Sequence, residues 1–128
     1  MKQLIRPAWL SRVLALVVFT VLPLSLSANT AGDEIEYLLE TVGDSGCMFI
    51  RNGSHHTSEE AEDHLRTKYR TGKNYVNSAE GFIDKLASRS SLSGRPYKIR
   101  CEGEREQNAE VWLTERLQEF RSENVTQQ

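Results

Sequence analysis

Glu60, His64 and Lys68, with His56 just ahead of them, are the residues whose types and spacing best suit chemistry. Positions 60, 64 and 68 lie one turn apart and project from one stripe of a helix. Imidazole and carboxylate are ligands for zinc or another divalent metal. His56, Glu60 and His64 are therefore a candidate metal set, with His55 available as a fourth ligand. A straight helix holds positions 56 and 64 roughly 12 Å apart, so one ion collects all three only if His56 leaves the helix line. A structural role is easier to satisfy. In that role Glu60 caps the helix and pairs with His64, His64 borders the core beside Leu65, and His56 serves the adjacent turn.

A second group surrounds Arg51. This guanidinium closes a short apolar run, shares a face with Cys47 and Phe49, and is followed by Asn52-Gly53. With Tyr97 and Arg95 it could form a small anion pocket at the strand ends. A half-buried guanidinium normally has a partner, and Glu80 is the internal candidate. The candidate binding surface thus comprises Arg51, Asn52, His56, Glu60, His64, Lys68 and Tyr97.

Other chemistries find less support. A nucleophilic enzyme would recruit Ser88, Ser90, Ser91 or Ser93 with His64 and Glu60, but the chain has neither GxSxG nor SxxK. Serines after a helix more often satisfy its last carbonyls and begin a turn. Glu59, Glu60, Glu62 and Asp63 crowd a helix start, where the dipole favours them, and read as a solvated face. No residue is assigned as catalytic, and the reading leans away from an enzyme.

The elements that must position these residues follow from periodicity. Asp33 with Glu36 offers a capping pattern, and Ile35, Leu38, Leu39 and Val42 recur at helical spacing before Gly43. Cys47–Arg51 is a short strand, and Asn52-Gly53 is a turn signal behind it. Thr57 with Glu60 opens a second helix, whose buried stripe is Ala61, Leu65 and Tyr69. Asn77 with Glu80 opens a third, with Phe82, Ile83, Leu86 and Ala87 inward, ended by Ser88–Gly94. Tyr97, Ile99 and Cys101 alternate with Lys98 and Arg100 as a half-buried strand. Ala109, Trp112, Leu113, Leu117 and Phe120 form the apolar face of the last helix. The fold class is α+β, mostly helical, with four helices and two short strands in the order α-β-α-α-β-α.

Cys47 and Cys101 are the only cysteines, too distant for a CxxC pair and too few for a zinc site. One structural disulfide is the expected arrangement. If it joins the two strands as neighbours, they run antiparallel. Cys47 then opposes Cys101, Phe49 opposes Ile99 and Arg51 opposes Tyr97. Met48 and Ile50 would face the other way, so helices should cover both faces of the first strand.

Lys2, Arg6 and Arg12 precede the apolar run Val13–Leu22 and the small residues Ser25–Ala28. That order is an export signal, cleaved after Ser27 or Ala28, and its apolar run is too short for a stable membrane anchor. The expected division is a signal over 1–28, one globular domain over 29–121 and a polar, frayed tail over 122–128. The part after the signal has 13 basic against 18 acidic residues, a formal charge of −5. That balance disfavours nucleic acid as a partner.

Several motifs then stand together: Phe49-x-Arg51-Asn52-Gly53-x-x-His56, Glu60-Ala61-x-x-His64-Leu65-x-x-Lys68, Ala79-Glu80-x-Phe82-Ile83, Ala87-Ser88-x-Ser90-Ser91 and Gly94-x-Pro96-Tyr97. Their order resembles the YfeK-like family of small exported bacterial proteins, a domain of unknown function. The resemblance runs directly from Phe49 to Tyr97 and brings no activity, cofactor or partner. The expectation is a periplasmic, non-catalytic binding or scaffolding module of the cell envelope. Its partner would be an envelope protein or small ligand, with no cofactor and no membrane span after cleavage. The alternative is a zinc-type metal-binding protein using His56, Glu60 and His64.

Overall fold

Thr30 opens the first helix of the computed structural model, which describes residues 29–127. The export signal expected over 1–28 and the final residue, Gln128, lie outside the described residues. Helix α1 spans Ala31–Asp44. Its capping box pairs Thr30 with Asp33, three residues ahead of the Asp33–Glu36 pair expected from the sequence. Both pairs share the required spacing; Thr30 prevails because the helix begins one turn earlier.

Strand β1 (Met48–Arg51) turns through Asn52-Gly53 into β2 (Ser54–His56). Both turn residues have positive φ, 50° and 79°, the conformation a two-residue hairpin needs and Asn-Gly supplies. Helix α2 (Ser58–Gly72) begins with the expected Thr57–Glu60 box. A 3₁₀ turn (Lys73–Tyr75) leads to α3 (Ala79–Phe82), capped by Ser78 rather than Asn77. The chain then widens into a π-helical turn over Ile83–Ala87, where the Ser88 hydroxyl donates to the Ile83 carbonyl. Strands β3 (Lys98–Arg100) and β4 (Gln107–Asn108) precede α4 (Ala109–Thr126).

The fold class is therefore α+β and mostly helical. Its sheet has four strands rather than two, in the order β2-β1-β3-β4, all antiparallel. Phe49 pairs with Ile99, as the proposed register requires, and Cys47 is bonded to Cys101. The bridge closes a separation of 54 residues. In the chain-entropy picture that loop stabilises the fold by about 4 kcal/mol.

One core joins sheet and helices: Leu38, Leu39 and Val42 of α1, Phe49 and Ile99 of the sheet, Leu65 of α2, Phe82 and Ile83, and Trp112, Leu113 and Leu117 of α4. Phe49 meets Trp112 edge-on, ring centres 6.3 Å apart. The expectation of helices on both faces of β1 fails at Met48, which is 38% exposed. The strand's second face is partly open because the helices gather on the Phe49 side. Ser122–Thr126, read as a tail, continue α4, with Asn124 donating to the Phe120 carbonyl. Among the described residues no helix is long and apolar enough to cross a membrane.

Candidate functional site

Arg51 ends β1 at the point where the hairpin turns away, so its guanidinium faces the exposed stripe of α2. Its Nη1 lies 2.7 Å from Nδ1 of His64. A guanidinium only donates, so Nδ1 must accept and His64 carries its proton on Nε2. That nitrogen lies 3.4 Å from the Tyr97 hydroxyl, a long contact. Lys68, one turn further along α2, donates from 3.3 Å to the same hydroxyl and from 3.2 Å to the Arg89 carbonyl. Its Nζ also sits 5.1 Å from the centre of the Tyr97 ring. The Tyr97 oxygen thus serves as acceptor for two donors and keeps its own proton available.

Arg51, His64, Lys68 and Tyr97, separated widely in sequence, form one cluster. Among the described residues, no carboxylate lies within ion-pair distance of Arg51 or Lys68. Glu80, the expected partner of Arg51, instead binds Arg121 at 2.6 Å. The register aligns Arg51 with Tyr97 and the α2 stripe, whereas Glu80 begins α3 beside α4. Burial, then the positive charges of Arg51, Lys68 and His56, lowers the proton affinity of His64. Burial, then Arg51, likewise lowers that of Lys68. Burial raises the Tyr97 pKa, with Arg51 opposing it.

Behind the cluster is a cavity of about 100 Å³. Phe49, Ala61, Leu65, Ala87, Ala109 and Leu113 form its buried walls. Arg51, His56, Glu60 and His64, which keep solvent contact, form its mouth. The alanines explain the space: at 61, 87 and 109 a methyl group occupies a core-facing position that a larger side chain would fill. The sequence reading placed Ala61, Ala87 and Ala109 in the core but missed the void between them.

His56 and Glu60 approach to 3.7 Å, while the Glu60 carboxylate also accepts from the Thr57 amide at the helix start. His56 Nε2 is buried and has no partner among the described residues. The three candidate metal ligands do not converge: His64 turns its Nδ1 to a guanidinium, which occupies the lone pair a metal needs. Among the described residues no group of three His, Cys, Asp or Glu is placed to hold an ion.

Asn52 is fixed by the serine loop. Its amide nitrogen donates to Ser90 Oγ at 3.2 Å and its carbonyl accepts from Ser93 Oγ at 2.6 Å. Ser90 Oγ also accepts from the amides of Leu92 and Ser93. These serines hold turns, as expected, and His64 hydrogen-bonds none of them. Across the loop, Arg89 bridges Pro96, and the tip presents Leu92, 99% exposed. Arg95 is exposed with no side-chain hydrogen bond among the described residues, outside the cluster it was expected to join.

Fold and site together define a small disulfide-bridged α+β domain with an apolar-floored pocket that Arg51 borders. The chain belongs to DUF5329, a family of unknown function, whose model matches residues 29–121. It is similar to the uncharacterized protein YfeK of Salmonella typhimurium, 38% identical over 92 residues, covering 69% of this chain and 77% of that protein. No solved structure matches it.

Proposed function

We propose that this chain is an exported, periplasmic, non-catalytic binding or scaffolding module of the cell envelope. It binds through the face formed by Arg51, Asn52, His56, Glu60, His64, Lys68 and Tyr97. One observation carries this reading: Arg51 and Lys68, which have no carboxylate partner among the described residues, stand together beside an apolar cavity. Stability alone does not favour such an arrangement, because like charges repel and burial penalises the Lys68 ammonium. Residues that strain a fold in this way commonly serve a ligand.

The charge, apolar and small-residue order of positions 1–28 supports export, and the Cys47–Cys101 bond suits an oxidising compartment. The mature chain purified from the envelope should begin at Ala28 or Asn29 by mass spectrometry. A chain that keeps Met1 and stays in the cytoplasm would contradict export. A photo-crosslinking residue at Leu92, on the loop that holds Asn52, should give a discrete adduct in living cells that Arg51→Gln abolishes. The same adduct from a crosslinker at Glu115 on α4, or its persistence in Arg51→Gln, would contradict the assigned face.

A further inference from the structure

The cluster and the cavity behind it are complementary to one ligand chemistry. Arg51 uses Nη1 on His64, and its remaining N–H groups meet no acceptor among the described residues. A guanidinium with free N–H groups is well matched to a carboxylate. Lys68 adds a second positive charge, and Tyr97 has a hydroxyl proton to donate. The carboxylate at the mouth, Glu60, is drawn toward the Thr57 amide and His56. It therefore leaves the Arg51 side open to an incoming anion.

The floor sets the other half of the ligand. Its walls are Phe49, Ala61, Leu65, Ala87, Ala109 and Leu113, all buried. An apolar cavity of about 150 Å³ accepts benzene, so one of about 100 Å³ takes about four carbons. We infer that this site, on the binding reading above, takes a carboxylate bearing a short apolar tail, with the carboxylate on Arg51 and the tail in the cavity. A free short-chain acid and a polypeptide C-terminus ending in a small aliphatic residue both present that chemistry. The charge requirement excludes a neutral or cationic counterpart, and the floor requires a tail.

The test is a titration followed by amide chemical shifts on the folded, disulfide-bonded chain. Butyrate should shift the amides of Ala61, Leu65, Ala87 and Leu113 saturably. Butanol, butylamine and inorganic phosphate should bind at least tenfold more weakly. Arg51→Gln should weaken butyrate at least tenfold, and Lys68→Gln should weaken it several-fold if the first variant is poorly folded. A peptide ending in a free Val carboxylate, compared with its amide, identifies the source. Tighter binding of the free peptide than of butyrate points to a protein C-terminus, and the reverse points to a small acid. Phosphate binding as tight as butyrate overturns the tail while leaving the binding face intact. Butanol binding as tight as butyrate overturns the carboxylate. No shift with any probe overturns the ligand class, and the crosslink from Leu92 then decides the face independently.

Discussion

At Arg51 a single hydrogen bond fixes the chemistry of its neighbour. Because the guanidinium donates to Nδ1, His64 is neutral with its proton on Nε2. Protonating Nδ1 would remove that bond and place a third cation among Arg51 and Lys68. The proton affinity of folded His64 lies below its ordinary value near 6.5, chiefly through burial. The folded chain therefore binds fewer protons than the unfolded one in this range. Its stability is fully present above about pH 6.5 and declines as pH falls through the lowered folded value. Thermal unfolding followed from pH 7.5 to 5 should show a steeper loss in the native chain than in His64→Gln. Parallel curves would remove His64 as a source of pH dependence. The sequence placed Arg51, His64, Lys68 and Tyr97 in one candidate surface, by type and by position on a strand or a helical stripe. It assigned Arg51 to Glu80 because pairwise contact between distant segments depends on packing that periodicity does not specify.

The elements that hold the cluster obey local rules closely where the sequence signals are strong. Asn52-Gly53 makes its hairpin and Thr57 and Glu60 cap α2, whereas Gly43, expected to stop α1, lies inside its last turn, where an added Cβ would strike the Glu62 carboxylate of α2. Strands β2 and β4 were not legible because three and two polar residues carry no alternation. They are strands only because β1 and β3 offer open edges. The same packing logic applies on the far side of the domain. Arg121 of α4 forks onto Glu34 of α1 at 2.7 and 2.8 Å and reaches Glu80 of α3. Glu34 is only 8% exposed, so removing its partner strands a carboxylate in the interior. Arg121→Ala should cost about 2 kcal/mol, discounted from the full buried-pair penalty because Arg121 keeps solvent contact. Glu34→Gln should recover part of that loss in the double variant, measured by denaturant unfolding. Additive losses would show that the two side chains act separately.

Across the whole molecule, the core and the site divide the residues between them. Leu38, Leu113 and Phe82 stabilise by burial, and the Cys47–Cys101 bridge ties the segment just before β1 to the segment just after β3. Fold class, disulfide and strand register were readable because apolar periodicity and two cysteines constrain them tightly. The cavity was not, because a void is a property of neighbours and three alanines on different elements look like ordinary core. The site's groups contribute little to the fold if they are kept for a ligand. Arg51→Gln removes repulsion with Lys68 while giving up one hydrogen bond to His64, two effects of opposite sign. The most direct measurement is thermal unfolding of Arg51→Gln without any ligand, followed by the fluorescence of Trp112. A midpoint within about 2 °C of the native chain, or above it, is the predicted result. Since about 1 kcal/mol moves the midpoint of a domain this size by roughly 4–8 °C, a fall beyond about 5 °C would make Arg51 a structural residue and contradict its assignment to binding.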